Sequence, residues 1–127
     1  MKIAKIAKAA GCKYFGLVTA VGADPNSSFL YPRVKGKLEE DMKALGFPVL
    51  SIFRPGFLIC DRQEKRVLES IGLFFIKGVN AIIPDRYAIS TERVAKAMIN
   101  DADQQLDAAS PSAVNLYENL EIAKLSN

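Results

Sequence analysis

The chain has 127 residues, half of them hydrophobic and 24% charged, with a net charge of +3 and no histidine. That balance fits one compact globular domain, and because the lysines lie among acidic neighbours instead of forming a basic stripe, nucleic acid is not an expected partner. The lack of histidine removes the commonest metal ligand and the usual general base at neutral pH, so no metal site is expected.

Cys12 and Cys60 stand in no pair spacing, which leaves a zinc site or a redox motif unsupported and suits two small buried side chains in a reducing compartment. The segment from Met1 to Cys12 ends in Ala-Gly-Cys, but Lys5 and Lys8 interrupt any signal-peptide core. Its lack of acidic residues is a trait of mitochondrial presequences, against which stand the absence of Arg and of a spacer before the next segment. No window reaches the roughly 20 apolar residues of a membrane span.

Ile3, Ile6, Ala7 and Ala10 recur at helical spacing with lysines between them and Gly11 following, which predicts a helix over about 2–10 packed by a small apolar stripe on a sheet. Lys13 to Thr19 is a short run rich in aromatic and branched residues, the pattern of a parallel strand buried on both faces. Ala20 to Ser28 is a polar loop leading to an N-cap at Ser27 or Ser28. A helix then runs to about Leu45, with Val34, Leu38, Met42 and Leu45 on its apolar stripe, Glu39 set to pair with Lys43, and Gly46 ending it. Pro32 is tolerated only in a first turn, so this helix starts between Ser28 and Tyr31.

Val49 to Phe53 is a second buried strand, closed by Arg54-Pro55-Gly56. Helix followed by strand, twice over, predicts an α/β fold with a parallel sheet. Val67 to Val79 reads as a helix ended or interrupted near Gly72 or Gly78, and Tyr87 to Ile89 as a short strand. Ser90 or Thr91 caps a helix to about Leu106, Val114 to Tyr117 is a last strand, and Leu120 to Leu125 a short closing helix.

Tyr31 and Lys35 fall one helical turn apart, so a phenol and an ammonium share one face. A cation beside a phenol makes a usable proton donor; the plain alternative is a half-buried helix residue beside a solvated charge. Four blocks extend the signal: Gly22-Ala23-Asp24, Phe29-Leu30-Tyr31 with Val34-Lys35-Gly36, Phe53-Arg54-Pro55-Gly56 with Leu58, and Cys60-Asp61-Arg62-Gln63-Glu64. In order and spacing these resemble the short-chain dehydrogenase/reductase superfamily, and more closely its atypical branch containing the Tat-interacting oxidoreductase, or metastasis-suppressor, family.

The resemblance implies the second half of a doubly wound, Rossmann-type parallel sheet binding NADP, with an oxidoreductase activity. It implies that Tyr31 is the proton donor, Lys35 its partner at the ribose hydroxyls, Thr19 the hydroxyl that polarises a substrate carbonyl, and Leu58 and Arg66 cofactor contacts. Two residues depart from the family pattern: Ala20 stands where close relatives carry a second hydroxyl, and Pro32 replaces an ordinary helical residue. No G-x-G-x-x-G occurs in the 127 residues, so residues 1–127 are expected to be one truncated NAD(P)-binding domain with an open edge at its first strand, inactive alone. The resemblance also implies a non-enzymatic alternative, an interaction protein linked to nuclear import factors, transcription and apoptosis. Self-association through the open edge is expected, as is a location in the cytoplasm and at the nuclear envelope.

Overall fold

The computed structural model describes residues 1–59 and 88–127. The expected helix over Val67 to Val79, the strand position Tyr87, Cys60 and the cofactor position Arg66 lie outside the described residues. The described elements, in order, are α1 (Lys2–Ala9), β1 (Tyr14–Val18), α2 (Leu30–Ala44), β2 (Val49–Arg54), β3 (Phe57–Ile59), β4 (Ala88–Ser90), α3 (Thr91–Asp107), β5 (Val114–Glu118) and α4 (Asn119–Leu125).

β1, β2 and β5 form a parallel sheet in the order β1-β2-β5, with Tyr14 beside Val49 through to Val18 beside Phe53, and Leu50 beside Val114 through to Arg54 beside Glu118. β3 and β4 make a separate parallel pair. The central strand carries the core because successive side chains point to opposite faces. Leu50 and Ile52 pack with Ala4, Met42 and Phe47 under α1 and α2, whereas Phe53 packs with Val94, Ala97, Ile122 and Ala123 under α3 and α4. Helices on both faces of a parallel sheet make this a partial Rossmann-type α/β arrangement, as the alternation of apolar runs predicts. Fully burying a side chain such as Ile52 contributes about 2 kcal/mol, so β2 is the stabilising axis of the fold.

The expectations hold in kind and fail in facing. β1 is half-buried along its whole length because it is an edge of the three-stranded sheet among the described residues; of that sheet's strands β2 alone is buried on both sides. α1 packs through Ala4, with Ala7 against the same core, and its Ile3 and Ile6 point outward. α2 turns Leu38, Met42 and Leu45 of the expected stripe to the core, but Val34 is exposed, and Gly36 and Glu39 are buried as well. Neither serine caps α2. Phe29 occupies the N-cap with no side-chain bond, because the Ser27 hydroxyl accepts the Phe29 N–H within the preceding turn. Ser90 does cap α3, accepting the Arg93 N–H at 3.2 Å. β3 has no counterpart in the sequence reading, and β5 extends one residue further, to Glu118.

Candidate active site

β1 and β2 run parallel, so their carboxyl ends open at the same edge of the sheet, where open α/β sheets take ligands. Thr19 follows directly on β1, and Pro55 and Gly56 follow on β2. The two segments are tied together: the Thr19 N–H donates to the Phe53 carbonyl at 2.9 Å and the Val21 N–H to the Pro55 carbonyl at 3.0 Å. On the far side, the Gly56 N–H donates to the Asn119 side-chain oxygen at 2.8 Å, which fixes the turn from the first residue of α4.

Between them lies a cleft of about 420 Å³. Thr19, Ala20 and Val21 form one wall, Pro55, Gly56, Phe57 and Leu58 the other, and Tyr31 projects from the first turn of α2. Tyr31 is 62% exposed, whereas Thr19 is 6% exposed. The Lys35 ammonium lies 5.5 Å from the centroid of the Tyr31 ring, a cation held over a π face one turn along the helix. Thr19, Tyr31 and Leu58 therefore share one cleft, Lys35 stands behind Tyr31, and Arg66 lies outside the described residues.

The sequence reading missed the group beneath Thr19. Glu39 turns inward instead of pairing with Lys43, and is 2% exposed. Its carboxylate accepts the Thr19 hydroxyl at 2.6 Å and the Arg54 guanidinium at 2.9 and 2.6 Å, one arm to each oxygen. Arg54 also reaches Glu118 at 3.2 Å. Burial alone would push the Glu39 carboxyl up, but the hydrogen bonds from Arg54 and Thr19 outweigh it and hold the group below the usual carboxylate range. The bond to Glu39 raises the Arg54 guanidinium above its usual value, so the pair stays ionised. A signal for it was present: Tyr31, Lys35 and Glu39 are spaced by four and share one helix stripe.

A second buried polar group lies under the other face. Asp101, 1% exposed, accepts the Tyr14 hydroxyl at 2.8 Å and the Tyr117 hydroxyl at 2.5 Å, tying both outer strands to α3. Burial, and then the bond to Asp101, raises both phenols above their ordinary range. None of these three residues lines the cleft, and their bonds serve the fold. Among the described residues no cluster of three or more His, Cys, Asp or Glu is placed to hold a metal ion, and no helix is long and apolar enough to cross a membrane.

No family model matches the chain. It is 45% identical over 101 residues to Protein HTATIP2 of Rattus norvegicus, an alignment covering 80% of this chain and 42% of that protein. It is 38% identical over 115 residues to the mitochondrial protein fmp52 of Aspergillus niger, covering 88% and 49% respectively. It is also 38% identical over 126 residues to the mitochondrial protein FMP52-1 of Scheffersomyces stipitis, covering 96% and 55%. The chain spans about half the length of the curated relatives it matches.

Proposed function

Because the chain belongs to the HTATIP2-like family, we propose that its cleft is the nicotinamide end of an NADP-dependent oxidoreductase site of the short-chain dehydrogenase kind. The observation that carries the reading is the meeting of Thr19, Tyr31 and Leu58 in one cleft at the carboxyl ends of parallel strands, with the Lys35 ammonium over the Tyr31 ring. The lining fits the nicotinamide half of the cofactor: Pro55, Phe57 and Leu58 offer an apolar surface to a flat ring. The pyrophosphate needs backbone N–H groups at a glycine-rich helix start, and no G-x-G-x-x-G occurs in these 127 residues.

When bound, NADPH supplies a hydride to a carbonyl carbon. Tyr31 would donate the proton to the carbonyl oxygen as its charge develops, and the Lys35 ammonium beside its ring would favour the phenolate left behind and, swung toward the cleft, would hold ribose hydroxyls. Leu58, which lines the cleft, would add a cofactor contact, and the contact expected at Arg66 lies outside the described residues. Reduced nicotinamide mononucleotide, which carries only the half that the cleft fits, is the direct probe. Saturation-transfer NMR is expected to show contacts from its ring to Tyr31 and Leu58. Absence of contacts at millimolar ligand overturns the reading.

A second reading has its own observation. Phe29, Leu30 and Val34 project at the start of α2 and are 76%, 69% and 52% exposed, an apolar surface beside the cleft. That is compatible with a non-enzymatic docking role, for which the family resemblance suggests a protein of nuclear import, transcription or apoptosis and the sequence a second copy of the chain. Loss of partner capture in Phe29→Ser with unchanged binding of the reduced mononucleotide separates the two roles. The names of the fungal relatives favour mitochondria over the cytoplasm or nuclear envelope expected from the sequence, and fractionation of the native protein tests this.

A further inference from the structure

We propose that Asn119 is a positioning residue for the cleft: from the start of α4 it clamps the wall made by Gly56, Phe57 and Leu58, and so sets how tightly the cleft holds a flat ring. The inference rests on the oxidoreductase reading for the identity of that ring, and it gives a part in binding to a residue that is not among those lining the cleft.

Asn119 is the first residue of α4 and is 3% exposed. The helix does not need its side chain, because Glu118 and Glu121 already form a capping box: the Glu118 side chain accepts the Glu121 N–H, and the Glu121 carboxylate accepts the Glu118 N–H at 2.8 Å. The Asn119 amide turns instead to other elements. Its oxygen accepts the Gly56 N–H at 2.8 Å and its nitrogen donates to the Ala88 carbonyl at 3.4 Å. A side-chain amide suits this double grip, since it carries an acceptor and a donor side by side. Both gripped groups flank one residue: Gly56 leads into Phe57, and Ala88 is the partner of Phe57 across β3 and β4. That pair of strands is separate from the three-stranded sheet, so the sheet's register does not hold it. Phe57 and Leu58 are 51% and 41% exposed, which leaves packing a small share in fixing them. Asn119 ties them to the main body, and Glu118 beside it grips Arg54 at 3.2 Å, so the start of α4 holds the exit of β2 at two points. Without the clamp the Gly56 N–H must turn to find water and the wall takes several positions. A ligand that needs one of them then binds with an affinity reduced by the fraction of the time that the wall is in place.

The test compares three variants: Asn119→Leu, which removes both bonds at similar volume; Asn119→Asp, which keeps the oxygen facing Gly56; and Ile122→Val, which trims the core under α4 and leaves the Asn119 bonds intact. Reduced nicotinamide mononucleotide is titrated into each folded chain by NMR, with melting temperature and amide hydrogen exchange measured alongside. Asn119→Leu is expected to weaken binding about fivefold, the scale of a single hydrogen bond, and Asn119→Asp to stay within about twofold of the native chain. Ile122→Val should lower the melting temperature and leave the affinity unchanged. Exchange of the Val21 amide, which bonds the Pro55 carbonyl of the opposite wall, should quicken in Asn119→Leu while that of Ile52 does not. Asn119→Ala, with the same expected loss, takes the place of Asn119→Leu should the latter not fold. Equal affinity in the native and Asn119→Leu chains, a loss that is as large in Asn119→Asp, or a loss in Ile122→Val that follows its melting temperature overturns the positioning role. No binding of the mononucleotide by the native chain overturns the oxidoreductase reading instead; the clamp is then read from exchange alone, and an unquickened Val21 amide in Asn119→Leu overturns it.

Discussion

A β-carbon at Gly36 would lie 2.2 Å from the Pro25 nitrogen and 2.3 Å from the Asp24 carbonyl carbon, so the loop before α2 rests directly on the bare backbone of that helix. The contact is reinforced by the Asp24 N–H donating to the Pro32 carbonyl at 3.0 Å. Helix propensity favours Ala over Gly by about 1 kcal/mol. Here the collision is with backbone, which cannot swing aside as a side chain can. Gly36→Ala is therefore expected to destabilise by about 3 kcal/mol net, the range of core overpacking, as read by urea denaturation. A stabilised variant would show that the loop does not seat on α2.

The Glu39–Arg54 pair makes stability depend on acid. Because the folded carboxyl sits below its unfolded value, its contribution is fully present above about pH 4.5 and is lost as pH falls through the folded value. Glu39→Ala should cost about 3 kcal/mol at neutral pH, since it leaves a half-buried guanidinium with only Glu118. Thermal melts from pH 3 to 7 should show a flatter acid limb in the variant than in the native chain.

Tyr14 and Tyr117 act at the other end of the scale. Their folded hydroxyls hold protons more tightly than in the unfolded chain, so their contribution is complete below about pH 10 and declines as pH rises beyond it. Tyr14→Phe and Tyr117→Phe should each remove part of that alkaline decline. A decline of equal steepness in the double variant would exclude the Asp101 group as its source.

Activity divides the roles of the α2 pair. With the portion of the rat relative that this chain does not match supplied in trans, Tyr31→Phe should abolish carbonyl reduction, about 100-fold or more, with NADPH affinity nearly unchanged. Lys35→Ala should weaken both, because on the proposed reading it would remove bonds to ribose in the ground state as well as support for the phenolate. The chain alone should bind NADPH no more tightly than millimolar. Equal turnover of the Tyr31→Phe protein would refute its role as proton donor.

β1 is an edge of the three-stranded sheet among the described residues, and the adjoining α1 turns Ile3 and Ile6 to solvent. Such an edge templates pairing with another chain. Sedimentation is expected to show association that rises with concentration and is reduced in the double variant Ile3→Lys, Ile6→Lys, with little change in melting temperature. A monodisperse monomer at high concentration would contradict it.

Much of the architecture was readable in order from the sequence, because apolar runs and turn residues are local signals: α1, β1, α2, β2, α3, β5 and α4 all fall where periodicity predicts them. The spacing of Tyr31 and Lys35 likewise determined that phenol and ammonium share a face. Which way each face turns was decided only by the tertiary structure. Ala4, not Ile3, is the residue of α1 that enters the core with Leu50 and Ile52, and Gly36 is buried because a loop from earlier in the chain crosses it. The same holds for Glu39. Sequence offers it an easy neighbour in Lys43, a pairing worth a few tenths of a kcal/mol on an exposed helix. Only the fold brings Arg54 from β2 and Thr19 from the end of β1 to a carboxylate sealed from water, where both bonds become strong enough to hold it charged. The donors in a site can thus be named from residue types, but the direction in which a hydroxyl gives its proton depends on contacts 15 and 20 residues away along the chain.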